Sequence, residues 1–192
     1  KLLINKDFEQ AKPNSGHMAV ASLFQQGKLL SVITQNVDGL HRKSGMPAEK
    51  LTEVHGNTNS EICKRCKNIY MRDFRTRNAQ TCKTHDTGRK CDNKKCNGDL
   101  MDTIINFGEN LREVDLDTGF NHGQSADVML CIGSSMRVNP AAQMAEATAN
   151  NGGKLVIINL QNTPLTPMGL HIYAKIDDVL ELLMKKLNIP IP

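Results

Sequence analysis

The sequence predicts an α/β protein with a doubly wound parallel sheet of Rossmann-like layout and a small inserted module. Three short apolar runs, each ending in polar residues or glycine, alternate with helical patterns. Apolar runs of this length are typical of strands that are buried on both faces of a parallel sheet. A segment rich in Cys, Lys and Asn and poor in apolar residues interrupts the alternation at residues 55–103. We therefore expect a divided sheet domain, with parts at 1–54 and 104–192, around a module at 55–103.

The predicted strands each lead into residues that can approach a bound ligand. The strands are Leu29–Thr34, Val128–Ile132 and Leu155–Ile158, and the residues after them are Gln35–Gly39, Gly133-Ser134-Ser135 and Asn159-Leu160-Gln161. In open α/β sheets, ligands bind beyond the carboxyl ends of the strands. Amide, hydroxyl and glycine residues at three such ends indicate a site for ribose hydroxyls and phosphates.

Helical patterns lie between and around these runs. Residues 15–26 repeat apolar side chains near the 3.6-residue period, and Gly27 follows as a stop. Residues 140–150 open with Pro140, which suits a first helical position. Residues 178–187 carry a leucine-rich stripe, with Asp177 or Asp178 as the predicted cap. We expect residues 108–125 to be a long, mobile connection.

Composition limits the class of protein. The 192 residues suffice for one core with a small satellite module. No apolar run approaches the roughly 20 residues of a membrane helix, and residues 1–12 lack the apolar stretch of a signal peptide. Net charge is +4, and the basic residues concentrate at 63–96. This segment favours contact with nucleic acid or an acidic partner, or else it is a solvated charged surface.

Four cysteines form two close pairs that predict a structural zinc site. Cys63 and Cys66 form a CxxC, and Cys91 and Cys96 follow after 24 residues. Two such pairs can supply the four thiolates of a tetrahedral zinc ion, with no position open for water. Of the remaining candidates, Cys82 and His85 are spare ligands, and Cys131 lies in an apolar run as a core residue.

The order of motifs resembles that of the sirtuin family. The motifs are Gln35-Asn36-Val37-Asp38-Gly39-Leu40-His41, His55-Gly56-Asn57, the two cysteine pairs, Phe107-Gly108-Glu109, Gly133-Ser134-Ser135 and Asn159-Leu160-Gln161. Thr87-Gly88-Arg89 before Cys91 and Asp102-Thr103-Ile104 resemble the chromatin-type branch, class IV. The resemblance covers nearly the whole chain.

The resemblance implies an NAD-dependent protein-lysine deacylase. In such enzymes nicotinamide is cleaved from NAD and the acyl group passes to ADP-ribose. His55 would be the general base, and Asn36 and Asp38 would act at the nicotinamide end. The cofactor-binding residues would be Gln35, Asn36, Asp38, His55, Gly133, Ser134, Ser135, Asn159, Gln161 and Ile176. The segment around Phe107–Glu109 would pair with an acyl-lysine peptide as an added strand. The resemblance also implies a nuclear location and histones as candidate substrates, with no membrane partner.

The family's Gly-Ala-Gly-x-Ser loop is not in this sequence. No two of its glycines are separated by a single residue. Since that loop would hold the pyrophosphate, we expect these 192 residues alone to bind NAD poorly. Three alternatives stay open: a sirtuin-like binding module without catalysis, a mono-ADP-ribosyltransferase, and a zinc-ribbon nucleic-acid binder unrelated to NAD.

Overall fold

The computed structural model describes residues 10–192, which divide into two compact units. The small unit comprises residues 34–40 and 55–111, together with residues 10–12. The large unit comprises residues 13–33, 41–54 and 112–192. The predicted division of the chain into 1–54, 55–103 and 104–192 stays a prediction.

Five α-helices, nine strands and two short 3-10 helices, Ala48–Lys50 and Thr166–Met168, make up the regular structure of the described residues. The helices are α1 (Ser15–Gln25), α2 (Leu40–Lys43), α3 (Glu113–Ser125), α4 (Ala141–Asn150) and α5 (Ile176–Leu187). The strands are β1 (Val32–Thr34), β2 (Leu51–Glu53), β3 (Ser60–Cys63), β4 (Ile69–Met71), β5 (Asp86–Lys90), β6 (Asp99–Asp102), β7 (Val128–Ile132), β8 (Lys154–Ile158) and β9 (Leu170–Ile172). Over residues 10–192 they form three sheets, ordered β1-β2, β4-β3-β6-β5 and β7-β8-β9.

The large unit contains a parallel sheet with helices on both faces. β7 pairs with β8, and β8 pairs with β9, all in parallel. Side chains alternate across a strand, so neighbouring residues of β7 face opposite layers. Cys131 packs in a cluster with Ala142 and Ala145 of α4. Ile132 packs against a cluster built from α1 and α5. This layering confirms the predicted α/β fold with a parallel sheet.

The first predicted strand is shorter than expected and pairs elsewhere. Only Val32–Thr34 of the run Leu29–Thr34 is a strand, and it pairs with β2. Gly27 at φ +64° ends α1, and Leu29 still packs against the α1 cluster, so the first residues of the run complete the helix packing. Leu30, the next residue, is not part of this cluster and is half exposed.

The three predicted helices of the large unit are present, but two helix starts differ. Pro140 is the N-cap of α4 and not its first helical residue. Asn14 caps α1, and its side-chain oxygen accepts a hydrogen bond from the His17 N–H at 3.1 Å. The N-cap of α5 is Lys175, whose side chain makes no capping bond, so the predicted cap at Asp177 or Asp178 is wrong. Both aspartates lie in the first turn, where they favour the positive end of the helix. Asp177 also accepts hydrogen bonds from the Asn14 side chain at 3.2 and 3.3 Å.

The predicted mobile connection at 108–125 is wrong, because Glu113–Ser125 forms α3. Its composition is unfavourable for an isolated helix. The residues that pack on the neighbouring helix are two glycines, which do not appear in the sequence as an apolar stripe. A Cβ atom on Gly119 would lie 2.5 Å from Met144 Sδ, and one on Gly123 would lie 2.2 Å from the Met144 carbonyl oxygen. The Thr148 hydroxyl donates to the Gly123 carbonyl at 2.6 Å. Close packing on α4 therefore stabilises this helix.

The small unit contains an antiparallel sheet ordered β4-β3-β6-β5. Its core consists of Leu100 and cysteines rather than a large apolar cluster. Glu61 on β3 is fully buried, and its two carboxylate oxygens form ion pairs with Arg72 Nε and Arg89 Nε, each at 2.7 Å. Among residues 10–192, no helix has the length and apolar character that crossing a bilayer requires.

Candidate metal centre and active site

Cys63, Cys66, Cys91 and Cys96 come together in the small unit. Their sulfur atoms all lie within 4.8 Å of one another. Cys63 Sγ lies 3.6 Å from Cys96 Sγ, and Cys66 Sγ lies 3.7 Å from Cys91 Sγ. A tetrahedral zinc ion with Zn–S bonds of about 2.3 Å requires sulfur atoms about 3.8 Å apart. The four cysteines therefore fit zinc, as predicted.

Backbone N–H groups near the metal centre favour the thiolate form of Cys63. The N–H groups of Cys66 and Arg65 donate to Cys63 Sγ at 3.5 and 3.4 Å. These hydrogen bonds, that from Cys66 above all, lower the pKa of Cys63 to about 6. Gly98 makes room for the sulfur, since a Cβ atom there would lie 2.7 Å from Cys63 Sγ.

The other predicted ligand candidates lie outside this centre. Cys82 and His85 are not among the four grouped residues. His85 instead contacts two carboxylates, Asp102 and Glu109. Cys131 is buried in the core of the large unit, where burial raises its pKa to about 11. It is the small core residue that the sequence predicts.

His55 lies in the small unit against the segment that follows β1. Its Nδ1 atom lies 3.1 Å from the carbonyl oxygen of Gln35, twenty residues earlier. A carbonyl oxygen only accepts, so Nδ1 carries the proton and a neutral ring keeps its lone pair on Nε2. The main chain of His55 is also held, because its carbonyl oxygen accepts from the Ile105 N–H at 3.0 Å.

Residues next to His55 fix the turn that carries it. Gly56 has φ +83°, and a Cβ atom there would lie 1.9 Å from the Thr103 carbonyl oxygen. Asn57 is fully buried, and its N–H donates to Thr103 Oγ1 at 3.1 Å. The sequence identifies Thr103 only as part of the Asp102-Thr103-Ile104 motif. Its bond to Asn57 could not be predicted, because the two residues are 46 positions apart.

Asn36 and Asp38 lie in the same short loop of the small unit. The Asn36 N–H donates to Thr34 Oγ1 at 3.1 Å, and Asp38 Oδ1 accepts from the Leu40 N–H at 2.9 Å. The Val37 carbonyl accepts from the Thr58 N–H at 2.9 Å, which joins this loop to the segment after His55. Gln35, Asn36, Asp38 and His55 are thus tied into one neighbourhood.

The predicted phosphate and ribose residues come together in the large unit. The Gly133 N–H donates to the Ile158 carbonyl at 3.0 Å, and the Asn159 side chain donates to the Ser134 carbonyl at 2.8 Å. Gly133 has φ +62°, and a Cβ atom there would lie 2.7 Å from Ile176 Cδ1. The loops after β7 and β8 therefore lie side by side, with the start of α5 beneath Gly133.

Ser135 and Gln161 stand at the outer parts of these loops. Ser135 and Gln161 are both exposed, and the Gln161 N–H donates to Asn159 Oδ1 at 3.1 Å. Sequence reasoning missed His171, whose Nε2 lies 3.1 Å from the Asn159 carbonyl oxygen. That the loops of the large unit and His55 face one groove stays a prediction, as do the roles of all these residues.

The fold and the two loop groups define a Rossmann-like protein with an inserted four-cysteine zinc module. The Sir2 family profile matches residues 1–140, and this chain belongs to that family. The NAD-dependent protein deacetylase SRT1 of Oryza sativa subsp. indica is 40% identical over 186 residues, covering 96% of this chain and 38% of that protein. The NAD-dependent protein deacetylase sirtuin-7 of Homo sapiens is 35% identical over 195 residues, covering 97% of this chain and 48% of that protein.

Solved structures agree with the sequence comparison. A structure of Sir2 bound to acetylated peptide has a TM-score of 0.77 at 32% identity, covering 97% of this chain and 75% of that chain. The predicted sirtuin membership is confirmed, and the similarity to sirtuin-7 agrees with the predicted class IV branch. The chain spans less than half the length of SRT1 and sirtuin-7.

Proposed function

We propose that this chain carries the catalytic core of an NAD-dependent protein-lysine deacetylase. The observation that carries the proposal is the 3.1 Å contact between His55 Nδ1 and the Gln35 carbonyl oxygen. It directs the basic nitrogen of the ring, Nε2, away from the main chain, as a general base requires. SRT1 and sirtuin-7, which resemble this chain over nearly all of its length, are NAD-dependent protein deacetylases.

The predicted cofactor-binding residues would have distinct roles. Asn36 and Asp38 would orient the nicotinamide end, and His55 would take a proton from a ribose hydroxyl. Ser134, Asn159 and Gln161 would bind the adenosine half, since their loops adjoin at the carboxyl ends of β7 and β8. When bound, NAD supplies the ADP-ribose that accepts the acyl group.

The zinc module would be structural. Four thiolates complete a tetrahedral shell and leave no open position for a substrate or water. Among residues 10–12, 34–40 and 55–111, the buried apolar cluster consists of Leu100 and three of the cysteines, with Cys66 and Tyr70 packed against it. The metal would therefore contribute to folding rather than to the chemical step.

The substrate would be an acyl-lysine segment of a protein. Sir2 with acetylated peptide is a structural neighbour of this chain. Phe107 is 97% exposed, and we propose that the segment around Phe107–Glu109 pairs with the peptide as an added strand. We further propose a nuclear location and histone substrates, which the resemblance to the chromatin-type branch implies, and the basic residues at 63–96 support a chromatin contact.

The test is a deacetylation assay of the full-length protein with an acetyl-lysine peptide and NAD. Mass spectrometry follows the peptide, nicotinamide and acylated ADP-ribose. His55→Ala should lower kcat by about 100-fold or more, in line with loss of a general base. His122→Ala, on α3 and outside the proposed site, is the matched control and should keep full activity.

Three other results would replace the proposal. Transfer of ADP-ribose to protein without deacetylation would identify a mono-ADP-ribosyltransferase. A folded protein that consumes no NAD would identify a binding module. Salt-dependent binding to DNA by a protein without NAD affinity would favour the zinc-ribbon reading.

A further inference from the structure

His85 lies between two carboxylates in the small unit and is not one of the four grouped metal-binding residues. Its Nδ1 is 3.0 Å from Asp102 Oδ1, at the end of β6. Its Nε2 is 3.0 and 3.1 Å from the two oxygens of Glu109. The imidazole thus bridges the sheet and the segment that follows it.

This geometry selects the protonated ring. Ionised carboxylates only accept hydrogen bonds, so both ring nitrogens must donate, and only the imidazolium ion has two N–H groups. The Asn106 side-chain nitrogen also lies 3.2 Å from Nε2, but its two hydrogens go to Glu109 Oε1 at 2.8 Å and to the Cys82 carbonyl oxygen at 3.3 Å. The other charged groups around the ring are Arg77, with Nε 3.9 Å from Asp102 Oδ2, and Asp86, the next residue, which pairs with Lys64 at 2.5 Å. The charge of Arg77 is balanced by Asp102, and the charge of Asp86 is balanced by Lys64.

Glu109 closes a short loop that presents an exposed aromatic ring. The Asn106 N–H and side chain donate to its carboxylate at 2.7 and 2.8 Å. Between these residues lies Phe107, with 97% of its surface exposed. Ile105 is fixed at the other end by its bond to the His55 carbonyl. Asn106 is also bonded to the Arg77 side chain and to the Cys82 carbonyl oxygen. Through Glu109, His85 joins the far end of the Phe107 loop to β6.

We propose that protonated His85 is a positioning residue, which holds the segment from Ile104 to Glu109 in place to pair with the substrate peptide. The inference rests on the proposed function, because that function makes this segment the peptide-binding strand. It assigns His85 a role in peptide affinity and none in NAD affinity or in the chemical step.

The electrostatic environment agrees with this assignment. Burial lowers the pKa of His85, but hydrogen bonds and charge from Asp102 and Glu109 outweigh it, so the pKa lies above its ordinary value. A raised folded-state pKa means that the link is fully formed below the ordinary value, about 6.5, and is lost as pH rises through the folded-state pKa. Peptide affinity should therefore fall on the alkaline side.

The first measurement needs no activity. Hydrogen exchange of the full-length protein, corrected for intrinsic rates, is followed at the Asn106 and Glu109 amides between pH 6 and pH 9. Protection should fall about tenfold as His85 loses its proton, because a hydrogen bond to a charged group is lost. His85→Gln should show the low protection at every pH, and His122→Gln should behave as the wild type.

The second measurement separates binding of peptide from binding of NAD. His85→Gln should raise KM for an acetyl-lysine peptide about tenfold, and leave kcat and KM for NAD unchanged. The pH dependence of the peptide KM should disappear in the variant. Glu109→Gln should also raise KM for the peptide, and the double variant should raise it no further, since both changes break one link.

The outcomes are distinct. Loop protection that is the same at all pH values and in both variants overturns the inference, whether or not the protein is active. Changed protection with an unchanged peptide KM shows a structural link only and also overturns it. A wild-type protein without turnover refutes the proposed function, while peptide binding by fluorescence anisotropy then decides the inference. Should His85→Gln not fold, Glu109→Gln, whose side chain is 35% exposed, carries the test.

Discussion

The side-chain amide of Asn159 lies 2.8 Å from the carbonyl oxygen of Ser134, so one hydrogen bond joins the loops after two neighbouring parallel strands. Asn159 is itself held from behind. His171 Nε2 lies 3.1 Å from its carbonyl oxygen, and His171 Nδ1 lies 2.8 Å from Thr166 Oγ1. The proposed ribose-binding residue is thus positioned by a histidine that would not touch the nucleotide.

His171→Phe should therefore weaken NAD binding. Phenylalanine keeps a ring to stack on Tyr173, whose centroid is 3.9 Å away, but it loses both hydrogen bonds. We expect KM for NAD to rise by about 3- to 10-fold, equivalent to roughly one neutral hydrogen bond, with kcat unchanged. Steady-state kinetics of the full-length protein measure this. Tyr173→Phe, which keeps the stack and loses only the bond to Asn162, should match the wild type, and equal KM values for both variants would contradict the prediction.

Zinc removal should unfold the small unit. Metal binding at such sites supplies on the order of 10 kcal/mol of folding free energy, and Leu100 alone cannot replace it. After complete chelation, amide protection across residues 60–102 should be lost. Cys91→Ser should behave as the chelated protein, and Cys82→Ser, outside the metal centre, should retain one zinc per chain. Intact protection in protein shown to be free of zinc would disprove a structural role.

Glu61→Gln should destabilise the small unit strongly. The carboxylate is fully buried between Arg72 and Arg89, and removing one member of a buried ion pair leaves charge uncompensated, at a cost of about 3–5 kcal/mol. Asp99→Asn is the matched control. Its pair with Lys90 is 60% exposed on both sides, so we expect a loss of about 1 kcal/mol or less. Chemical denaturation of the zinc-loaded protein compares the two, and similar losses would exclude the buried pair as a stabilising contact.

Gly56→Ala should cost more stability than Gly88→Ala. Both glycines have positive φ, +83° and +74°, which costs a side-chain residue roughly 1–2 kcal/mol. Only at Gly56 does the added Cβ atom also meet backbone, 1.9 Å from the Thr103 carbonyl oxygen. The overlap should add about 1–3 kcal/mol and displace His55. Thermal unfolding of both variants gives the difference; equal melting temperatures would show that the Thr103 contact relaxes without cost.

The parts of the fold that the sequence predicts are those encoded locally. Val128–Ile132 is apolar throughout and forms β7 with the predicted bounds. The cysteine pairs specify their own metal centre, because soft ligands at close spacing have few other uses. β5 lacks such a signal: of its residues only Thr87 is buried, and the strand depends on the pairing of Arg89 with Glu61, 28 positions away.

The candidate site divides in the same way. Glycine, serine and amide residues at strand ends can be recognised from their neighbours, and family resemblance singles out His55. The tautomer of His55 is set by its hydrogen bond to the Gln35 carbonyl oxygen, and Asn159 is supported by His171. Neither contact can be recognised from the local sequence. Side chains that act through distant partners become visible only once the chain is folded.

Helix α3 has a consequence for synthesis on the ribosome. Two glycines, an asparagine and a threonine make it a poor helix by itself, and its close neighbour Met144 lies 21 residues beyond Gly123 in α4. We therefore expect the nascent chain to leave residues 113–125 unformed until α4 has emerged from the exit tunnel, so that the two helices fold in a single step.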